Sequence, residues 1–274
     1  MPDDRPAQIR RSLDTAAAAL VQAWPAIVTL PLLLLAWEAS SRWLGLDPLM
    51  LPPPSAIAEQ LRLGLASGLY VTHFGVTVSQ ALLGFLGALI AGVVVGSLIG
   101  SSVLLERTVH PFLVAFQSMP KIALAPLIIV WFGYGIGSKV VLAGVLGFFP
   151  ILIGTVTGLK SAEPGRIDVM RVLGASPWQL YRMVRLPSAL PYIFAGINVA
   201  AVLVVLGAIV GEFVGSKSGL GTLIIYANQN LEIAQVFSIL AILAALGLSM
   251  HFGVLALRTR LLFWAEDRRP GEQR

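Results

Sequence analysis

The chain has 274 residues, 57% of them hydrophobic and only 12% charged, with a mean hydropathy of +0.83. Soluble domains carry about 25% charged residues, so this composition excludes an ordinary globular domain and places the chain in a lipid bilayer. The net charge of +5 comes without any pattern of interleaved basic and aromatic residues, which excludes nucleic acid and leaves topology as the meaning of the basic residues.

A helix needs about 20 apolar residues to cross roughly 30 Å of hydrocarbon. Six segments meet that requirement in chain order: 24–44, 78–101, 111–134, 138–159, 189–211 and 236–257. They are long and lack the alternation of barrel strands, so the fold class is an all-α polytopic membrane protein with six transmembrane helices. Arg5, Arg10 and Arg11 precede the apolar run from Trp24 as in a signal peptide, yet further spans follow, and an uncleaved first anchor is expected. With the N-terminus in the cytoplasm, fourteen Lys and Arg fall inside and four (Arg42, Arg62, Lys139, Lys217) outside, with Lys121 within the third span. That bias sets the orientation. The chain then divides into a cytoplasmic tail (1–23), a membrane domain (24–257) with a cytoplasmic insert at 160–188, and a second cytoplasmic tail (258–274).

After the first span, "LDPLMLPPPS" (46–55) reads as an extended outer segment followed by a surface helix at 55–67. The second span places Ala88, Gly92, Gly96 and Gly100 at four-residue spacing. Such a stripe lets another backbone approach closely, and tight packing within the chain is preferred over pairing of subunits. "GTVTG" (154–158) repeats the device in the fourth span. In the third span Lys121 follows Pro120, with Gln117 and Ser118 nearby. It either snorkels to the interface or lines a path for an anionic solute. The outer stretch 211–235 is long, and its glycines and amides suit a constrained loop over an aqueous vestibule.

No catalytic constellation emerges. "GTVTGLKS" (154–161) lacks the glycine before the lysine that a phosphate loop needs. The absence of cysteine excludes disulfides, thiolate metal sites and cysteine nucleophiles. His73, His110 and His251 have no second histidine at ligand spacing, and the G-x-S-x-G pattern is missing. Neither an enzyme activity nor a cofactor held by this chain is expected.

One polar insert interrupts the oily chain: "DVMRVLGASPWQLYRMVRLP", residues 168–187. Glu163-Pro164 can start a short helix whose Ile167, Met170 and Leu173 or Gly174 share a face, with Arg166 and Arg171 off it. Gly174 permits a sharp turn, and Ser176-Pro177 caps a second short helix that Leu186-Pro187 is expected to stop. Two hinged amphipathic helices either lie on the bilayer surface or form a protrusion that another protein grips.

The spacing of Gly174, nine residues and then Val184-Arg185-Leu186-Pro187 resembles the cytoplasmic signature of ABC importer permeases. In that signature Glu-Ala-Ala, three residues, Gly and nine residues precede Ile-x-Leu-Pro. Here Asp168, Val169 and Met170 stand in the first three places, and Val184 replaces isoleucine. "SMPKIALAPLIIVWFGYG" (118–135), "GFFPILIGTVTGL" (147–159) and "GLGTLI" (219–224) are similar to the branch that imports nitrate, taurine, alkanesulfonates and related small solutes.

The resemblance implies a permease subunit that forms a gated path, with ATP and magnesium on a separate ATPase subunit and solute delivered by a solute-binding protein. It also implies a homodimer in the cell inner membrane. Asp168, Arg171, Gly174, Ala175, Trp178, Leu186 and Pro187 would form the element on which the ATPase docks. Glu212, Gly219, Leu220 and Gly221 are candidates for an outer gate, and Lys121 for the path. Two rivals stay open on sequence: an ion-gradient-driven secondary transporter, which the scarcity of deep carboxylates argues against, and a non-transporting scaffold.

Overall fold

The computed structural model describes residues 28–43, 47 and 49–262, and among these it is helical with no strand. The first helix, α1, covers residues 28–43. Its Trp37 ring meets Phe237 at 5.8 Å. The rest of the predicted first span, and both predicted tails beyond residue 262 and before residue 28, lie outside the described residues. α2 (Pro54–Ala66) opens with a proline in its first turn and is the expected surface helix. Among the described residues four helices are long and apolar enough to cross a membrane: α3 (Leu69–Ser101), α6 (Ile136–Lys160), the continuous run Pro177–Phe213, and α11 (Ile233–Leu261).

The third predicted span is not a straight crossing. α4 (Val103–Ser118) starts eight residues before the expected 111, capped by Ser102 Oγ, which accepts from Leu105 N–H at 3.3 Å. It ends at Met119, which is extended (φ −75°, ψ 138°) because Pro120 follows. A 3₁₀ turn (Lys121–Leu124) then leads into α5 (Ala125–Phe132), and the two halves meet at 88°. Four continuous spans plus this broken one are therefore described, and the sixth depends on the partly described α1.

A second correction concerns the insert. α7 (Pro164–Val172) is a separate short helix, as expected. The next, α8 (Pro177–Leu180), does not stop at Leu186-Pro187 but passes through a π turn (Tyr181–Arg185) into α9 (Leu186–Phe213). Proline lacks an N–H and would leave a carbonyl one turn back unpaired. The wider π turn shifts the hydrogen-bond register just ahead of it, so the helix continues. The third correction is α10 (Leu220–Gln229), a helix inside the expected loop 211–235.

α3, α6 and α9 form the centre, and the small-residue stripe is what brings them together. A Cβ on Gly96 would sit 2.6 Å from Thr155 Cβ and 3.0 Å from Leu152 O, so only glycine permits this approach of α3 to α6. The stripe therefore packs within the chain. Ala88, Ile151, Ala189, Ile193, Ala200 and Ala201 fill the contact. α11 covers α9, and Tyr70, Leu220, Leu223, Ile239 and Leu243 close one end beneath α2 and α10. The other end carries α7, and there Lys160 Nζ pairs with Glu106 at 2.5 Å, tying α6 to α4. These ends are called the α10 end and the α7 end below.

Candidate functional site

At the α7 end, local chemistry builds the hinge. Gly174 adopts φ 75°, and Ala175 N–H donates to Met170 O at 3.0 Å, which closes α7 with a left-handed residue. Ser176 Oγ accepts from Gln179 N–H (3.3 Å) while Gln179 Oε1 accepts from Ser176 N–H (2.7 Å), a reciprocal cap that starts α8. Trp178 stacks on Tyr181 at 5.6 Å, and Tyr181 Oη donates to Ser97 Oγ of α3 at 3.0 Å. The hinge is thus fastened to the spans.

Asp168 and Arg171 form an exposed pair at 3.4 Å, worth little to stability. Ile167 and Met170 are half-buried, as expected of the apolar face, whereas Leu173 faces solvent. Val169, Val172, Leu173 and Trp178 are 60%, 87%, 75% and 66% exposed. Leu186 and Pro187 sit half-buried in the continuous helix and do not join that surface.

Halfway along the bundle, Lys121 lies in the 3₁₀ turn at the break, not within a straight span. Its Nζ donates to Gln117 O at 3.3 Å and stands 5.1 Å from the centre of the Phe149 ring. It lines two cavities. One, of about 450 Å³, is walled by Phe116, Met119, Phe148, Phe149 and small residues of α3 and α6. The other, of about 360 Å³, holds Gln117, Pro120, Phe149 and Leu203. Phe149 lines both cavities, stacked on Phe116 at 6.3 Å and edge-on to Phe148 at 5.2 Å.

At the α10 end, Glu212, Gly219, Leu220 and Gly221 meet in one buried knot. Glu212 is 1% exposed; it accepts from Thr77 Oγ1 at 2.8 Å and from Gly221 N–H at 2.6 Å. Thr77 Oγ1 in turn accepts from Leu220 N–H at 2.8 Å. Gly219 has φ 121°, and a Cβ there would collide with the Glu212 carboxylate, so the position admits only glycine. His73 Nδ1 accepts from Gly219 N–H at 2.9 Å and lies 3.0 Å from Gly219 O, which would accept instead from a protonated Nδ1. Lys139 is fully buried and donates to Tyr134 O (2.6 Å) and Gly215 O (3.1 Å). The carboxylate caps α10, and the ammonium holds the preceding loop.

Sequence reasoning missed His73, Thr77 and Lys139, whose partners lie far along the chain. His73, Thr77 and Gln80 share one face of α3 at spacings of four and three residues, a polar stripe that could have pointed to them. Among the described residues no group of His, Asp or Glu is placed to hold a metal.

Residues 88–262 match the family described as "Binding-protein-dependent transport system inner membrane component". The riboflavin transport system permease protein RibX of Chloroflexus aurantiacus is 40% identical over 244 residues, 88% of this chain and 91% of that protein. The formylaminopyrimidine transport permease protein ThiX of Halalkalibacterium halodurans is 35% identical over 233 residues, covering 85% and 92%. Among solved structures, an inward-facing MetNI methionine ABC transporter superposes with a TM-score of 0.59 at 25% identity, covering 68% of this chain and 93% of that one.

Proposed function

The chain belongs to the family of binding-protein-dependent transport system inner membrane components, as the permease subunit of an ATP-driven importer, and we propose that it conducts a planar nitrogen-heteroaromatic solute past Lys121 and Phe149 and is driven through α7. The observation that carries the solute class is the aromatic cavity at the broken span. Rings such as Phe116, Phe148 and Phe149 favour a flat π system, in stacked or edge-on contact, and Lys121 adds a cation beside it. A compact zwitterion such as taurine would bring two full charges to a single cation among apolar walls and lose its hydration. The printed names of the two relatives, riboflavin and formylaminopyrimidine permeases, fit the same class.

The drive is assigned to α7. ATP and magnesium belong on a separate subunit, because no phosphate-binding motif occurs in this sequence. Val169, Val172, Leu173 and Trp178 offer that subunit an apolar surface, with Asp168 and Arg171 at its side and Gly174 and Ala175 fixing its angle. A solute-binding protein delivers solute at the α10 end, where the Glu212 knot sets the outer gate. The α7 end and both termini then face the cytoplasm, in keeping with the excess of Lys and Arg there. A second copy of the permease completes the path, which gives a use to the exposed Val130 and Trp131 of α5 (79% and 68%).

The test is ATP-driven uptake by proteoliposomes holding the permease, its ATPase and its binding protein. Riboflavin or formylaminopyrimidine should enter and taurine should not. Phe149→Ala should raise KM about tenfold, the loss of about 1.4 kcal/mol of ring contact. Uptake of taurine with exclusion of both heterocycles would overturn the solute class.

A further inference from the structure

A second cavity, of about 590 Å³, opens at the α10 end and is lined by Gln80, Tyr134, Lys139, Ser216, Lys217 and Ser218, among others. It differs in kind from the aromatic cavity, because its walls bring together an amide, two lysines and two serines. Gln80 is 2% exposed, and its Oε1 has no hydrogen-bond partner among the described residues. A buried acceptor without a donor weakens a fold, so a residue kept only for packing at this position is better served by leucine or methionine. Lys139 uses two N–H groups on Tyr134 O and Gly215 O, leaving the third. Lys217 is exposed on the loop at the rim. Ser216 Oγ donates to Ser218 O at 2.7 Å, so that loop is held in shape before anything binds. Lys139 and Lys217 are the only charged residues among those lining the cavity, and Glu212 is not one of them.

We infer that this cavity is an entry site that recognises the polar edge of the solute: an N–H donor onto Gln80 Oε1 beside an oxygen acceptor onto Lys139 or Lys217. An imide or ureide edge of a nitrogen heterocycle has that pattern, and so do the ammonium and sulfonate of taurine. The site reads the edge, and the aromatic cavity reads the ring. This inference rests on the importer assignment but not on the solute class proposed above.

Gln80→Leu keeps the volume and removes only the acceptor. With the reconstituted complex, uptake of riboflavin, 3-methylriboflavin and taurine is measured for wild type and Gln80→Leu, alongside thermal stability and basal ATPase rate. For the solute that wild type transports, Gln80→Leu should raise KM about tenfold, one lost hydrogen bond. The melting temperature should stay equal or rise, and the basal ATPase rate should be unchanged. With riboflavin, wild type should prefer the parent over the N-methylated analogue, and the variant should not. If taurine alone enters, the heteroaromatic reading falls while the KM comparison still decides the entry site. An unchanged KM, a preference between analogues that survives the substitution, or no transport of any probe by wild type overturns the inference.

Discussion

Glu212 and Lys139 show how single residues are held in the knot at the α10 end. Each is buried, and each is held by one hydrogen-bond partner near in sequence (Gly221, Tyr134) and one far from it (Thr77, Gly215). Replacing Glu212 leaves the Gly221 N–H buried without its acceptor, at a cost of about 1–3 kcal/mol. Glu212→Ala should therefore lower the melting temperature of the purified protein sharply, and Gly219→Ala should do so through collision with the same carboxylate. A melting temperature within a degree of wild type for both would remove the knot from the account. Of this knot, Glu212, Gly219, Leu220 and Gly221 were legible because they are near neighbours in a glycine-rich stretch. Lys139 read as an ordinary outer-loop charge and His73 as an isolated histidine, since Gly215 and Gly219 reach them only after the chain has crossed the bilayer and returned.

Elements were legible where their signals are local. Ser176-Pro177 and Gly174 announce a cap and a turn within a few residues, and the structure places both there. The break at Met119-Pro120 carries an equally local signal, but the apolar stretches on either side of 117–121 together have the length of a single span, and that hid it. The π turn had none. Proline normally ends a helix, and here the packing of Ala189 and Ile193 into the core favours continuation over a stop. The result is one rod from α8 to Phe213, so a push on α8 at one end is carried along a central helix to the α10 end. Ser176→Ala removes the reciprocal cap and should destabilise that junction by about 1 kcal/mol. Its effect should appear as weaker solute stimulation of ATP hydrolysis with solute binding intact; unchanged stimulation would mean that the cap has no part in coupling.

At the scale of the molecule, three small-residue helices make a rigid centre, and the ring-lined break, the knot and the α7 hinge are arranged around it. Gly96→Leu should force α3 from α6 and abolish folded protein, read as loss of a monodisperse peak after detergent extraction. Composition and hydropathy sufficed for the class, and the small-residue stripe for the packing. They could not supply the bend of 88° or the cavities that it opens, because these depend on how α4 and α5 lie against α6. Transport by such a molecule requires that ATP on one partner and solute from another each favour a different state. α7 is where the first of those biases has to enter. The measurement that tests this most directly pairs the ATPase with wild type and with Val172→Asp/Leu173→Asp, two exposed positions whose change leaves the core untouched. Co-purification and solute-stimulated ATP hydrolysis are read together with the melting temperature. The account predicts a folded variant that no longer holds or answers to the ATPase; a folded variant that binds and is stimulated like wild type would contradict it.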